Sequence, residues 1–77
     1  MIEVLFFAEL RDQAGTNQVK IQVSDISVKQ LKDEYLTEFD LLTINNAMIA
    51  VNEEYAEEDT ILKDGDVVAF IPPVSGG

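Results

Sequence analysis

Cysteine and histidine are absent from this 77-residue chain. Without them, disulfides, thiolate nucleophiles, zinc sites of the usual ligand set and every catalytic arrangement built on imidazole are excluded. Any sulfur the chain handles must therefore be delivered to it. Basic residues are scarce too: five Lys and Arg stand against fifteen Asp and Glu, a net charge of −10. Such a surface repels nucleic-acid phosphates and anionic lipid and favours partners with basic docking faces. No nucleic acid and no membrane is expected among its partners. Neither a run of about 18 apolar residues nor a charged n-region leading to a cleavage site is present, which reads as a soluble, cytoplasmic chain. Turn-forming residues are few, four Gly and two Pro in a composition 47% hydrophobic, the profile of a folded sequence. The length allows one domain of modest stability.

What is present reads in order. Ile2 to Leu10 is a strand candidate, with Ile2, Val4, Phe6 and Ala8 on one face and Glu3, Leu5, Phe7 and Glu9 on the other. Gly15 and Asn17 mark a turn, and Val19, Ile21 and Val23 then alternate inward, so the first two strands read as a hairpin. Ser27 and Gln30 have the spacing of a capping box, and Ile26 and Leu31 stand where a hydrophobic staple would. Val28, Leu31, Tyr35 and Phe39 follow at helical spacing, with Lys29, Lys32, Asp33 and Glu34 mostly outside. This predicts a helix over about 28–38. The stretch 40–46 is left open between loop and short extended piece. Strands are expected at Ala47 to Asn52, briefly around Tyr55 as a charged edge, and at Val67 to Ile71 after the Asp64-Gly65-Asp66 turn. The fold class is α+β, a mixed sheet packed on one main helix, with residues 1–71 as the domain and 72–77 as an extended tail.

That tail invites a chemical reading. Pro72 and Pro73 hold extended geometry and project the last strand outward. Six residues from Pro72 to Gly77 reach at most roughly 20 Å, enough to enter a partner's cleft. Val74 and Ser75 continue the slim segment, and Gly76 and Gly77 carry no side chain, so a narrow channel could close around their backbone. The carboxylate of Gly77, once activated as an acyl-adenylate, would then serve acyl or thioacyl transfer. The bland reading is that Gly-containing tails commonly do nothing.

The order strand-hairpin-helix-strands ending in Gly-Gly resembles the ubiquitin-like β-grasp fold. "VLFFAELRDQAG" from Val4 to Gly15, "AVN" from Ala50 to Asn52 and "LKDGDVVAFIPPVSGG" from Leu62 to Gly77 resemble the MoaD-type sulfur carriers, the small subunits of molybdopterin synthases. The stretch 35–46 carries no motif of that family. The resemblance implies that a MoeB-type enzyme uses ATP to adenylate Gly77 and that a sulfur donor enzyme converts it to a thiocarboxylate. The loaded tail then enters the MoaE-type large subunit, in a heterotetramer, to sulfurate cyclic pyranopterin monophosphate to molybdopterin. It implies no cofactor bound by this chain and no catalytic side chain of its own. Two alternatives remain: another carrier on the same fold, of the thiamin pathway or of protein conjugation, and an acidic interaction module with an unmodified tail.

Alternation and the resemblance together group Phe7, Tyr55 and Ile71 as an apolar patch at the root of the tail, the expected partner-binding surface. Two readings stand for Phe7, docking or packing under a loop, and a strand parity off by one would put Phe70 in place of Ile71. Arg11, the sole arginine, either meets a carboxylate of the adenylating enzyme or offsets Glu9 and Asp12. The acids Glu53, Glu54, Glu57, Glu58 and Asp59 lack calcium-loop spacing and read as a solvated face that selects a basic partner, with no metal.

Overall fold

A computed structural model of the chain describes residues 1–37, 39, 41 and 44–73. The tail positions Val74, Ser75, Gly76 and Gly77, and the expected helix end at Glu38, lie outside the described residues.

Strand β1 runs Ile2–Phe6 and buries Ile2, Val4 and Phe6 almost completely, as alternation requires. It does not continue to Leu10. Ala8 takes a left-handed φ of 50°, and a helix α1 follows over Ala8–Ala14. The segment AELRDQA consists largely of strong helix formers, and Gly15 closes it in the left-handed conformation at φ 76°, donating its N–H to the Arg11 carbonyl. Leu10 is buried as the inward face of this helix and not as a strand position. β1 still pairs antiparallel with β2, Gln18–Ile21, but across a helical connection and not a tight hairpin.

The capping box forms as expected. The Gln30 N–H donates to Ser27 Oγ at 3.1 Å, and the Ser27 N–H donates to Gln30 Oε1 at 2.9 Å. The helix behind it, α2, is α-helical over Val28–Gln30 and π-helical over Leu31–Tyr35, where it ends. Its last turn closes by Leu36 N–H to the Leu31 carbonyl at 3.1 Å. The wider turn adds a residue per revolution and shifts the phase. Lys32, expected outside, is therefore buried, Tyr35, expected inside, is exposed, and Leu36 takes the core position. Lys32 Nζ is met by Glu58 Oε2 at 3.1 Å and by Asn45 Oδ1 at 3.4 Å.

The remaining elements are a 3-10 turn at Ile44–Asn46 and four strands: β4 at Met48–Val51, β5 at Glu54–Ala56, β6 at Ile61–Leu62 and β7 at Val67–Ile71. A short β3, Ile26–Ser27, pairs with β6 in a second two-stranded sheet that sequence patterning did not foresee. The main sheet is mixed, in the order β2-β1-β7-β4-β5, with β1 and β7 parallel and the other pairs antiparallel. This is the β-grasp architecture. One face of the sheet, with Phe70 stacked at 6.5 Å from Phe6 and Val68 beside it, closes the core against Val28, Leu31 and Leu36.

Candidate functional site

The opposite face of the sheet is where the functional expectations converge. Register places Leu5 beside Ala69, Ala69 beside Ala50, and Ala50 beside Tyr55, one continuous row across four strands. Two alanines at the centre of that row leave a depression between the larger flanking side chains. The result is an open apolar groove of about 680 Å³, with Phe7 and Ile71 at its tail end, Tyr55 at its edge and Val67 at the other end.

Phe7, Tyr55 and Ile71 thus share one concavity. Phe7 is 44% exposed and Tyr55 80%. Strand parity is as expected, since Val68 and Phe70 are fully buried and Ile71 points to the other face. Pro72, directly after it, is buried in the fold, and the chain reaches the surface at Pro73, two residues past the groove-lining Ile71. Arg11 lies exposed on α1, one turn past Phe7, and makes no ion pair among the described residues, Glu9 and Asp12 included.

Sequence patterning missed the groove's floor and its far rim. Ala50 and Ala69 signal only by being small in strands that are otherwise branched, and which strands adjoin is a tertiary fact. At the far rim, Asn52 and Glu53 join β4 to β5, both with left-handed φ, 52° and 72°. That is the dihedral pattern of a tight two-residue hairpin connection. Asn52 is locked in place. Its N–H donates to the Val67 carbonyl at 2.8 Å, its Oδ1 accepts from the Val67 N–H at 3.0 Å, and its Nδ2 donates to Asp66 Oδ1 at 3.0 Å. Asp66 Oδ2 also accepts from the Lys63 N–H at 2.8 Å. The Lys63 bond, and then the Asn52 bond, hold the Asp66 carboxyl below its ordinary pKa.

Among the described residues no cluster of acids is close enough to hold a metal ion. The acids Glu53, Glu54, Glu57, Glu58 and Asp59 are all exposed, and Glu58 in addition neutralises Lys32. No helix among the described residues is long and apolar enough to cross a membrane. The arrangement can dock an apolar surface beside the end of β7.

The model described as the ThiS family matches residues 4–77. The chain is 46% identical to the molybdopterin synthase sulfur carrier subunit of Drosophila ananassae, an alignment covering 99% of this chain and 90% of the relative. Its structure is similar to one chain of the protein-protein complex of subunits 1 and 2 of the molybdopterin-converting factor from Helicobacter pylori. There the TM-score is 0.72 at 33% identity, covering 99% of this chain and 97% of the matched one. It also resembles SAMP1 from Haloferax volcanii, with a TM-score of 0.83 at 28% identity, covering 99% and 98%.

Proposed function

Since the chain belongs to the ThiS family, we propose that it is the sulfur carrier of a molybdopterin synthase, with its C-terminal Gly77 as the cargo site. A partner enzyme uses ATP to turn the Gly77 carboxylate into an acyl-adenylate, releasing pyrophosphate. Sulfur at the oxidation level of sulfide, delivered by a donor enzyme, attacks the acyl carbon and displaces AMP. The thiocarboxylate then enters the large synthase subunit and sulfurates the pterin precursor. The chain itself supplies no base and no thiol, consistent with the absence of His and Cys. Its contribution is delivery. Pro72 and Pro73 set the direction, the slim Val74 to Gly77 segment occupies the partner's channel, and the groove anchors the complex.

One observation carries this reading: the groove and the strand that leads to the tail share Ile71. Whatever seats on the groove stands beside the point of departure, so docking fixes the origin from which the reactive end must reach. The single arginine, Arg11, offers a cation near the same end for a carboxylate of the adenylating enzyme. The likeness to SAMP1 favours a second reading, conjugation to a protein amine through the same activated carboxylate.

Intact mass of the protein isolated from its own cells separates the two. Sulfur replacing one terminal oxygen is expected for the carrier, and covalent adducts to other proteins for the modifier. An unmodified terminus under molybdenum-dependent growth would remove both. In reconstituted synthase, deleting Gly77 or adding one residue after it should abolish product while leaving the fold and docking intact. One extended residue displaces the terminus by roughly 3.3–3.6 Å, and a misplacement of about 1 Å can cost on the order of 10²-fold in rate. Normal product from either variant would refute the assignment of Gly77.

A further inference from the structure

Glu53 is the one charged residue lining a largely apolar groove, and it sits in a backbone conformation that suits it poorly. Its φ of 72° belongs to the left-handed region, where glycine is the favoured residue and a two-residue connection of this kind prefers Asn-Gly. Its neighbour Asn52 tolerates that region and is held there by three hydrogen bonds. Glu53 has no such compensation. Among the described residues its carboxylate takes part in no hydrogen bond or ion pair. The strain thus holds an unpaired carboxylate at the rim of the site without serving the monomer.

Covering the groove with an apolar surface would strip water from that carboxylate. A desolvated, unpaired charge is costly, so a partner that fills the groove well must bring a cation to it. Resting on the carrier reading above, we infer that Glu53 is a specificity determinant for docking. It receives a lysine or arginine of the large subunit, from a segment whose apolar side chain lies over Ala50 and Ala69. Charge complementarity argues for this occupant over a second copy of the chain, because two copies at −10 each repel and would set Glu53 against further acids.

The test uses the full chain and the large synthase subunit from the same organism, with titration calorimetry at low and high salt and thermal unfolding in parallel. Glu53→Gln keeps shape and backbone but not charge. It should raise Kd about tenfold at low salt, flatten the salt dependence and leave the unfolding temperature unchanged. Glu53→Gly should weaken docking equally while the unfolding temperature holds or rises, since glycine relieves the left-handed strain. A merely structural Glu53 would lose stability on both changes and keep its affinity. If wild type binds and both variants bind equally well at both salt concentrations, the inference fails alone. If wild type does not bind the large subunit at all, the carrier reading fails and this inference with it.

Discussion

Truncating the aromatic side chains of the groove tests docking directly, and the expected size follows from their exposure. Phe7 is 44% exposed in the free chain and Tyr55 is 80% exposed. An aromatic side chain presents roughly 200 Å², so full coverage would remove about 90 Å² at Phe7 and about 160 Å² at Tyr55 from water. At about 25 cal/mol per Å² this corresponds to about 2 kcal/mol for Phe7 and at most about 4 kcal/mol for Tyr55. The Tyr55 figure is an upper limit, because β5 is an edge strand and its hydroxyl can stay wet at the rim. The expectation is a Kd raised about 30-fold by Phe7→Ala and by at most about 10³-fold by Tyr55→Ala. Stability ranks the other way. The Phe7 ring is partly covered by its own fold and its truncation costs up to about 2 kcal/mol, whereas Tyr55→Ala should stay within about 0.5 kcal/mol of wild type. Tyr55→Ala is therefore the cleaner probe. Calorimetric titration against the large subunit, paired with thermal unfolding, gives both quantities. A folded Tyr55→Ala variant with unchanged Kd would refute the claim that this face docks.

Two further expectations concern the scaffold. Glu58→Gln leaves the buried Lys32 ammonium with neutral amide oxygens and no countercharge; because Glu58 is 53% exposed and water can partly compensate, the loss should be about 1–2 kcal/mol, below that of a fully buried pair. Lys32→Met removes the buried charge itself and should be neutral or stabilising, so urea midpoints that fall for Lys32→Met and hold for Glu58→Gln would contradict the pairing. At Asp66 the folded-state pKa is lowered, so its contribution is fully present above the unfolded-state value and is lost as pH falls through the folded one. The stability gap between wild type and Asp66→Asn should be constant near neutrality and close below about pH 4; a gap that stays open in acid would show that the carboxylate bonds to Lys63 and Asn52 do not matter.

Much of this molecule is local and was legible. Alternation in "VVAFI" distinguishes Val68 and Phe70 from Ile71 because a strand has only two faces. Ser27 and Gln30 form their box because both partners lie within one turn. The absence of Cys and His is likewise plain in the sequence and means that the chain has no thiol of its own. Helix α1 was legible in principle. The run AELRDQA before Gly15 carries helix propensity and a C-terminal cap, but alternation carried on past Phe6 reads the same even-numbered positions as inward.

The rest depended on neighbours distant in sequence. The π-helical turn that reverses Lys32 and Tyr35 is invisible to a period of 3.6, and a buried lysine is tolerable only because Glu58 and Asn45 arrive from other segments. The groove exists because β7 inserts between β1 and β4, bringing Ala69 beside Ala50 and leaving Leu5 and Tyr55 to stand on either side. Glu53 acquires its meaning in the same way. In sequence it is one acid among several, and only the sheet makes it the one charged residue that lines the groove. Sequence alone determined which side chains of a strand could share a face and which reactive side chains the chain lacks. Tertiary structure decided which face remained uncovered, because strand order and register are set by packing between segments that no local pattern encodes.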